Sequence, residues 1–323
     1  MTDVKFIHGL ADLKAKCQAL NGDNYRCVAT IGSFDGVHLG HQVLLRSVTE
    51  TARSMNLPSL VILFEPQPYE FFSREKAPAR LMRLREKVCA LYRAGIDQIL
   101  CLKFNTELRH LSADEYIQRV LVTGLGVKHL VVGDDFRFGC DRSGDFELLQ
   151  HAGKQHDFTV SDTNTLVAKS ERISSTRIRQ LLEEDKLSDA KALLGCDFSV
   201  SGRVIYGKQL GRTIGFPTVN IGLGRYRSPV RGVYCVRVIH GSDVFDGVAN
   251  VGVRPTVGGR EKPLLEVHLL GVNQQLYGEF LTVTFLHKAR EEQTFTSLDA
   301  LKQQISMDVE NAKQFFLVEA ASS

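Results

Sequence analysis

The chain has no Cys-x-x-Cys pair, and its seven cysteines stand singly at positions 17, 27, 89, 101, 140, 196 and 235. Scattered cysteines in odd number exclude a disulfide framework and imply reduced thiols in a cytoplasm. No charge of one sign dominates: 40 Lys and Arg against 37 Asp and Glu leave +3, with no basic block of the kind that binds nucleic acid. Long apolar runs are missing, so no segment is expected to cross a bilayer. The start, Met1-Thr-Asp-Val-Lys-Phe-Ile-His8, lacks a charged region followed by an apolar core, so an unexported, soluble, cytoplasmic protein is expected. Repeats and low-complexity tracts are absent too, which excludes solenoids and linker-rich designs. What is present is 323 residues, enough for two domains with a substantial core in each, and so for two catalytic centres.

The first half alternates strand-like and helical runs. Cys27-Val-Ala-Thr-Ile31 reads as a buried strand, and Val43, Leu44, Val48 and Ala52 then recur at helical spacing. His38 and His41 fall at the mouth of that helix, where unpaired N–H groups and the positive end of the dipole favour an anion. Gly36 and Gly40 let the main chain approach such a ligand, and the imidazole N–H groups suit triphosphate oxygens. Two plainer readings stay open: a helix cap beside a surface histidine, or a metal pair, although no HExxH-type Glu or nearby Cys completes a ligand set. Leu60-Val-Ile-Leu-Phe64 supplies a second strand and closes a βαβ unit, expected right-handed, whose ligand crevice lies beyond the strand ends. Ile96–Leu102 and His129–Gly133 continue as strands, and between them Ser112 and Glu115 have capping-box spacing. The pattern predicts a parallel α/β domain.

Two further segments of this half carry polar chemistry. Val132-Gly-Asp-Asp-Phe-Arg-Phe-Gly139, continuing to Arg142-Ser-Gly144, follows a strand and reads as a crevice lining or as a solvated loop. Arg172-Ile-Ser-Ser-Thr-Arg-Ile-Arg179 reads as a helix start: Ser174, Ser175 and Thr176 can cap it or donate to phosphate, and Arg172, Arg177 and Arg179 offer permanently charged donors. A basic surface helix explains Arg179 equally well. Residues 183–197 read as a connecting helix closed by Gly195.

Beyond it the pattern turns to β. Phe198–Tyr206, Gly232–His240, Leu264–Leu270 and Glu279–Leu286 are strand-like, which predicts a compact antiparallel barrel. From Phe295 the spacing becomes helical, with Leu298, Leu301, Ile305 and Val309 on one face, so a closing helix is expected on the barrel. Between the first two runs, Gly207, Gly211 and Gly215 form a loop able to wrap phosphates, with neither Walker nor protein-kinase spacing. Pro217-Thr-Val-Asn220 places a hydroxyl and an amide oxygen on one side of an extended segment, as hard ligands for Mg²⁺ or as an ordinary sheet-edge Thr and turn Asn. Glu266 and His268 share the face opposite Leu265, Val267 and Leu269, facing a ligand or the solvent.

Gly32-Ser-Phe-Asp-Gly-Val-His-Leu-Gly-His-Gln42 resembles the HxGH signature of nucleotidylyltransferases, in the form found in bacterial bifunctional riboflavin kinase/FMN adenylyltransferases, the FAD synthetases. Gly211-Arg-Thr-Ile-Gly-Phe-Pro-Thr-Val-Asn220 is similar to the riboflavin kinase signature, with Val219 for the usual Ala. Leu265-Glu-Val-His-Leu269, Asn250-Val-Gly-Val-Arg-Pro-Thr256 and Arg290-Glu-Glu-Gln-Thr-Phe295 also match in order, with Gly271 where Asp is common and Gln293 for a usual Lys. The resemblance implies a Rossmann-like adenylyltransferase domain over 1–182, a connecting helix over 183–197 and a β-barrel kinase domain over 198–323. It implies ATP as co-substrate, riboflavin and FMN as substrates, Mg²⁺, and no nucleic-acid or membrane partner, with transient self-association left open. It further implies catalytic roles for His38, His41 and Glu266, and nucleotide or phosphate contacts by Gly32, Phe34, Asp35, Gly40, Ser175, Thr176, Arg177, Gly207, Gly211 and Gly215. Asp135, which stands where many members have Asn, Phe136 and Arg290 are its flavin contacts, and Thr218 and Asn220 its metal ligands. Two rival functions remain, a nucleotidylyltransferase of another phosphate ester and a non-enzymatic flavin-binding protein.

Overall fold

The computed structural model describes all residues except 1–5, 22–24, 74, 134, 141, 164–166, 169–170, 208–210, 212–213, 256–260, 273–274 and 322–323. The chain divides into two compact units, residues 1–77 with 84–174, and 78–83 with 175–323.

In the first unit, β1 (Phe6–His8), β2 (Cys27–Ile31), β3 (Ser59–Glu65), β4 (Gln98–Lys103), β5 (Val127–Gly133) and β6 (Thr159–Thr163) form one parallel sheet in the order β1-β4-β3-β2-β5-β6. The helices between them are α1 (Gly9–Asn21), α2 (Leu39–Met55), α3 (Pro68–Phe72), α4 (Leu84–Arg93), α5 (Thr106–Arg109), α6 (Ala113–Tyr116), which runs on into a π-helical stretch Ile117–Gly124, and α7 (Phe146–His156). A short antiparallel pair, β7 (Val167–Ala168) and β8 (Glu171–Arg172), follows. β2 is buried along its whole length, as its uninterrupted apolar run predicts. Its neighbours are β3 on one side and β5 on the other, so the strand order reverses at β2 and β5, the position where open α/β sheets bind ligands beyond their carboxyl ends. The expected capping box is present: the Ser112 hydroxyl accepts from the Glu115 N–H, and the Glu115 carboxylate accepts from the Ser112 N–H. On α2 the buried stripe is Leu44, Leu45, Val48, Thr49 and Ala52. Val43, expected on that face, is more than one-third exposed, because the stripe through Leu45 and Thr49 turns it outward.

The second unit holds α8 (Ser175–Glu183), α9 (Leu187–Leu194), ending in Gly195 in the left-handed conformation, the strands β9 (Ser199–Ile205), β10 (Val219–Gly222), β11 (Gly232–His240), β12 (Asp243–Pro255), β13 (Glu261–Leu269) and β14 (Phe280–Arg290), and α10 (Leu298–Ala321). The six strands close an antiparallel barrel in the order β10-β13-β12-β11-β14-β9. Alternate residues Leu265, Val267 and Leu269 on β13, and Ala249 and Val251 on β12, point into its core with Tyr234, Val236 and Phe285. β10, four residues long, was anticipated only as an extended segment, and β12 was not anticipated: it opens on Asp243 and contains Gly247 and Gly252, which weaken the periodic signal. Ile178, Leu181 and Leu182 of α8, and Ala190 and Leu194 of α9, belong to the same core cluster. Both helices therefore pack as part of the second unit, together with Leu81 of the 78–83 segment. α10 starts at Leu298 rather than Phe295, and Leu298 itself is exposed while Val309, Ala312 and Phe316 are buried.

Candidate active sites

At the carboxyl end of β2 the chain enters α2 through a contorted loop. Phe34 and Val37 have φ of 45° and 42°, and Gly36 has 89°. A left-handed Val is unusual, because its branched Cβ crowds the following carbonyl. The turn buries Phe34, Asp35 and His38 almost completely and brings His38 to the N-cap of α2. There the His38 Nδ1 accepts the His41 N–H at 3.2 Å. The cap reading of His38 is thus correct, and it is compatible with a site: an accepting Nδ1 in a neutral ring puts the proton on Nε2. The two imidazoles stack with centroids 3.6 Å apart and planes 15° from parallel, and Phe34 lies 5.1 Å from the His41 ring. Burial holds the His41 pKa well below its ordinary value, and repulsion from His38 and from the buried Lys87 of α4 lowers it further. His41 is therefore neutral at pH 7, and its Nδ1 is buried without a hydrogen-bond partner. Gly40 is small for a reason, since a Cβ there would lie 3.2 Å from the His38 ring and 3.6 Å from the Ile173 carbonyl.

β5 ends beside β2, with Thr30 opposite Val131, so the loop after Gly133 emerges next to Gly32. Asp135 is exposed, Phe136 stacks on Phe138 at 5.5 Å, and Arg137 pairs with Asp145 at 3.1 Å. Ile173 and Ser174 close the first unit. Ser175, Thr176 and Arg177 open α8 in the second, where Thr176 is exposed. Arg179 donates from Nε to the Ala79 carbonyl at 2.6 Å and so ties the 78–83 segment to α8. Asp134, residues 208–210, 212 and 213, Thr256 and the Arg172 side chain, all in the quoted motifs, lie outside the description.

The second unit carries a cavity of about 370 Å³ between the outer face of the barrel and α10. Strand register explains which residues reach it. Asn220 on β10 stands opposite Glu266 on β13, Glu266 opposite Asn250 on β12, Asn250 opposite Val233 on β11, and Val233 opposite Arg290 on β14. These five form one row around the barrel, and all line the cavity with Gly211 and Thr218. The alternation that sends Leu265 and Val267 inward thus sends Glu266 and His268 outward, under the helix rather than into open solvent. Asn220 is buried, and its Oδ1 has no hydrogen-bond partner. Gly207 lies against it: a Cβ at 207 would come within 2.5 Å of the Asn220 carboxamide. Gly215, with φ of 90°, is exposed and is not among the residues lining the cavity. His268 Nδ1 lies 2.9 Å from the Pro217 carbonyl and steadies the segment carrying Thr218. Arg290 is engaged by Asp308 of α10 in a two-pronged pair, Nε to Oδ1 at 2.9 Å and Nη2 to Oδ2 at 2.7 Å.

Sequence reasoning missed Lys87, Asn250 and Asp308. Lys87 sits in a helix that reads as an ordinary amphipathic one, and Asp308 is recognisable only once α10 lies on β14. Asn250 was visible within its motif, but its place beside Glu266 depends on strand register.

Fold and sites together define a transferase of nucleotide phosphates built from a parallel α/β unit and a β-barrel unit. The FAD synthetase family model matches residues 20–177, and the riboflavin kinase model matches residues 194–316. The bifunctional riboflavin kinase/FMN adenylyltransferase of Escherichia coli strain K12 is 50% identical over 314 residues, covering 97% of this chain and 98% of the relative, and the chain belongs to that family. Its Pseudomonas fluorescens counterpart is 51% identical over 294 residues, 91% and 94% of the two chains. A crystal structure described as a macrolide-efflux protein from Streptococcus pneumoniae superposes with a TM-score of 0.74 at 31% identity, covering 92% of this chain and 96% of that one. That description stays with that protein; among the described residues here, no helix is long and apolar enough to cross a membrane.

Proposed function

We propose a division of labour within this bifunctional enzyme of FAD biosynthesis: the parallel-sheet domain, residues 1–182 by motif, adenylylates FMN, and the barrel domain, residues 198–323, phosphorylates riboflavin, with 183–197 connecting them. The carrying observation is the row Asn220–Glu266–Asn250 opening into one cavity.

In the barrel, Glu266 takes the proton of the ribityl 5′-hydroxyl as that oxygen attacks the γ-phosphorus of ATP and ADP leaves. Thr218 and Asn220 are suited to Mg²⁺, since both offer hard oxygens and the buried Asn220 Oδ1 lacks any other partner. When bound, the ion would spread the charge of the phosphates. Gly207 and Gly211 keep the phosphate-wrapping role that their motif implies while packing closely on the Asn220 carboxamide and the Phe216 carbonyl, and Gly215 supplies the turn. Arg290, which lines the cavity and is held by Asp308, keeps the flavin contact that its motif implies.

In the first domain an FMN phosphate oxygen attacks the α-phosphorus of ATP, and pyrophosphate leaves without a covalent enzyme intermediate. His38 and the neutral His41 donate N–H groups where negative charge grows, and the N-terminus of α2 adds its dipole. Gly32, Phe34, Asp35 and Gly40 shape the nucleotide loop, Asp135 and Phe136 serve the flavin, and Ser175, Thr176 and Arg177 keep the triphosphate role that their motif implies. The scattered single cysteines support a cytoplasmic setting.

The test uses purified full-length chain with riboflavin, ATP and Mg²⁺, and separates flavins by chromatography. Glu266→Gln is expected to stop FMN formation while supplied FMN still becomes FAD; His41→Ala is expected to do the reverse. A Glu266→Gln enzyme that phosphorylates riboflavin at the normal rate defeats the kinase assignment, and a His41→Ala enzyme that makes FAD normally defeats the other.

A further inference from the structure

The contorted loop ahead of α2 has a holder that the motif reading gave no role. Val37 adopts φ of 42°, a conformation that a β-branched residue avoids unless its surroundings impose it. Its carbonyl accepts from the Gln42 Nε2 at 3.0 Å, five residues on, across the cap. The Gln42 N–H binds the His38 carbonyl at 2.9 Å and forms the first turn of α2. On the other side, the Val37 N–H reaches the Phe34 carbonyl at 3.3 Å. Gln42 therefore holds the carbonyls on both sides of the His38 Cα, those of Val37 and of His38, which sets the direction of the His38 ring and its stack on His41.

We infer that Gln42 is a positioning residue for adenylyl transfer: it holds Val37 in the left-handed conformation and so fixes His38 and His41 before the nucleotide arrives. This rests on the adenylyl-transfer reading above. If the backbone at Val37 relaxed to negative φ, the cap would turn and the two imidazoles would separate. Donors aimed in advance account for much of the rate in such chemistry, so misaiming them lowers turnover more than binding.

The experiment is a double-mutant cycle in the full-length chain with Gln42→Ala, Val37→Gly and the pair together. FMN-to-FAD and riboflavin-to-FMN rates are measured on each preparation. Glycine adopts positive φ without the steric penalty, so Val37→Gly removes the need for a holder. Gln42→Ala alone is expected to lower kcat for FAD formation roughly tenfold, with KM for FMN within about twofold and phosphorylation of riboflavin unchanged. In the Val37→Gly background the same substitution is expected to lower kcat less than about threefold. Equal losses in both backgrounds, or no loss in either, overturn the inference. A rise in KM with kcat unchanged overturns it as well, by making Gln42 a binding group. Gln42→Met, similar in length but without a donor, must behave like Gln42→Ala; normal turnover with Met also refutes the holder role. Failure of the underlying reading looks different, because His41→Ala would then make FAD at the normal rate.

Discussion

Asp308→Ala isolates the contact that fastens α10 over the cavity. In the native chain the Asp308 carboxylate takes three nitrogen contacts from Arg290, at 2.9, 3.2 and 2.7 Å, and a fourth from the Gln304 Nε2 at 2.9 Å. The side chains of Arg290 and Asp308 are only 18% and 5% exposed, so water cannot take over either role. Removing one partner of a buried ion pair costs about 3–5 kcal/mol, chiefly because the other charge is stranded. Here Arg290 keeps one bond, from Nη1 to the Glu291 carbonyl at 2.8 Å, and a distant ring contact with Phe295 at 5.9 Å. The lower end of the range applies, about 3 kcal/mol, which corresponds to a fall of roughly 6–12 °C in Tm for a unit of this size. Asp308→Asn keeps an acceptor but not the charge, and is expected to cost about half as much. Differential scanning calorimetry of the full chain measures both, with the core variant Val236→Ala marking the second unit's transition. Lys313→Ala serves as a reference, since its pair with Glu310 is exposed on both sides and contributes little. If Asp308→Ala shifts the transition no more than Lys313→Ala does, the pair is not carrying the helix and the reasoning is wrong.

Two further outcomes follow from close packing and from burial. Gly207→Ala would drive a Cβ to within 2.5 Å of the Asn220 carboxamide, whose backbone is pinned between β9 and β13; riboflavin phosphorylation should fall at least about tenfold with FAD formation from FMN intact, and parallel rates in variant and parent would remove Gly207 from the site. Because the native fold resists protonating His41, the unfolded chain binds the proton first as pH drops below about 6.5, and stability of the first unit falls from that point toward the depressed native pKa. The slope attributable to His41 is at most about 1.4 kcal/mol per pH unit, so melting between pH 7.5 and 5.5 should be less pH-sensitive in His41→Asn than in the parent; equal slopes would show that His41 titrates freely.

The histidines of the HxGH motif show why part of a site can be read from a sequence. Their spacing across a strand-to-helix boundary is local information, and local information also sets the N-cap, the buried strand before it and the parallel α/β pattern around it. The same holds for Glu266, whose alternation with Leu265 and Val267 predicts its face. The use made of that face was not legible. Whether Glu266 meets water or a cavity depends on α10, and α10 is placed by Arg290 holding Asp308 across eighteen residues and by Phe316 packing near Cys235.

Chain order and periodicity by themselves determined two α/β and β units, the crevice at β2 and β5, and the residue types able to handle phosphate. Tertiary structure alone decided that α8 and α9 pack with the barrel, that β10 and β12 complete it, and that Asn220, Glu266, Asn250 and Arg290 share one row. It also decided that Val37 is held left-handed by Gln42. The division has a physical basis. Helix and strand patterns arise from neighbours within a few residues, whereas register, closure and the burial of a carboxylate or an amide depend on partners brought together from distant parts of the chain.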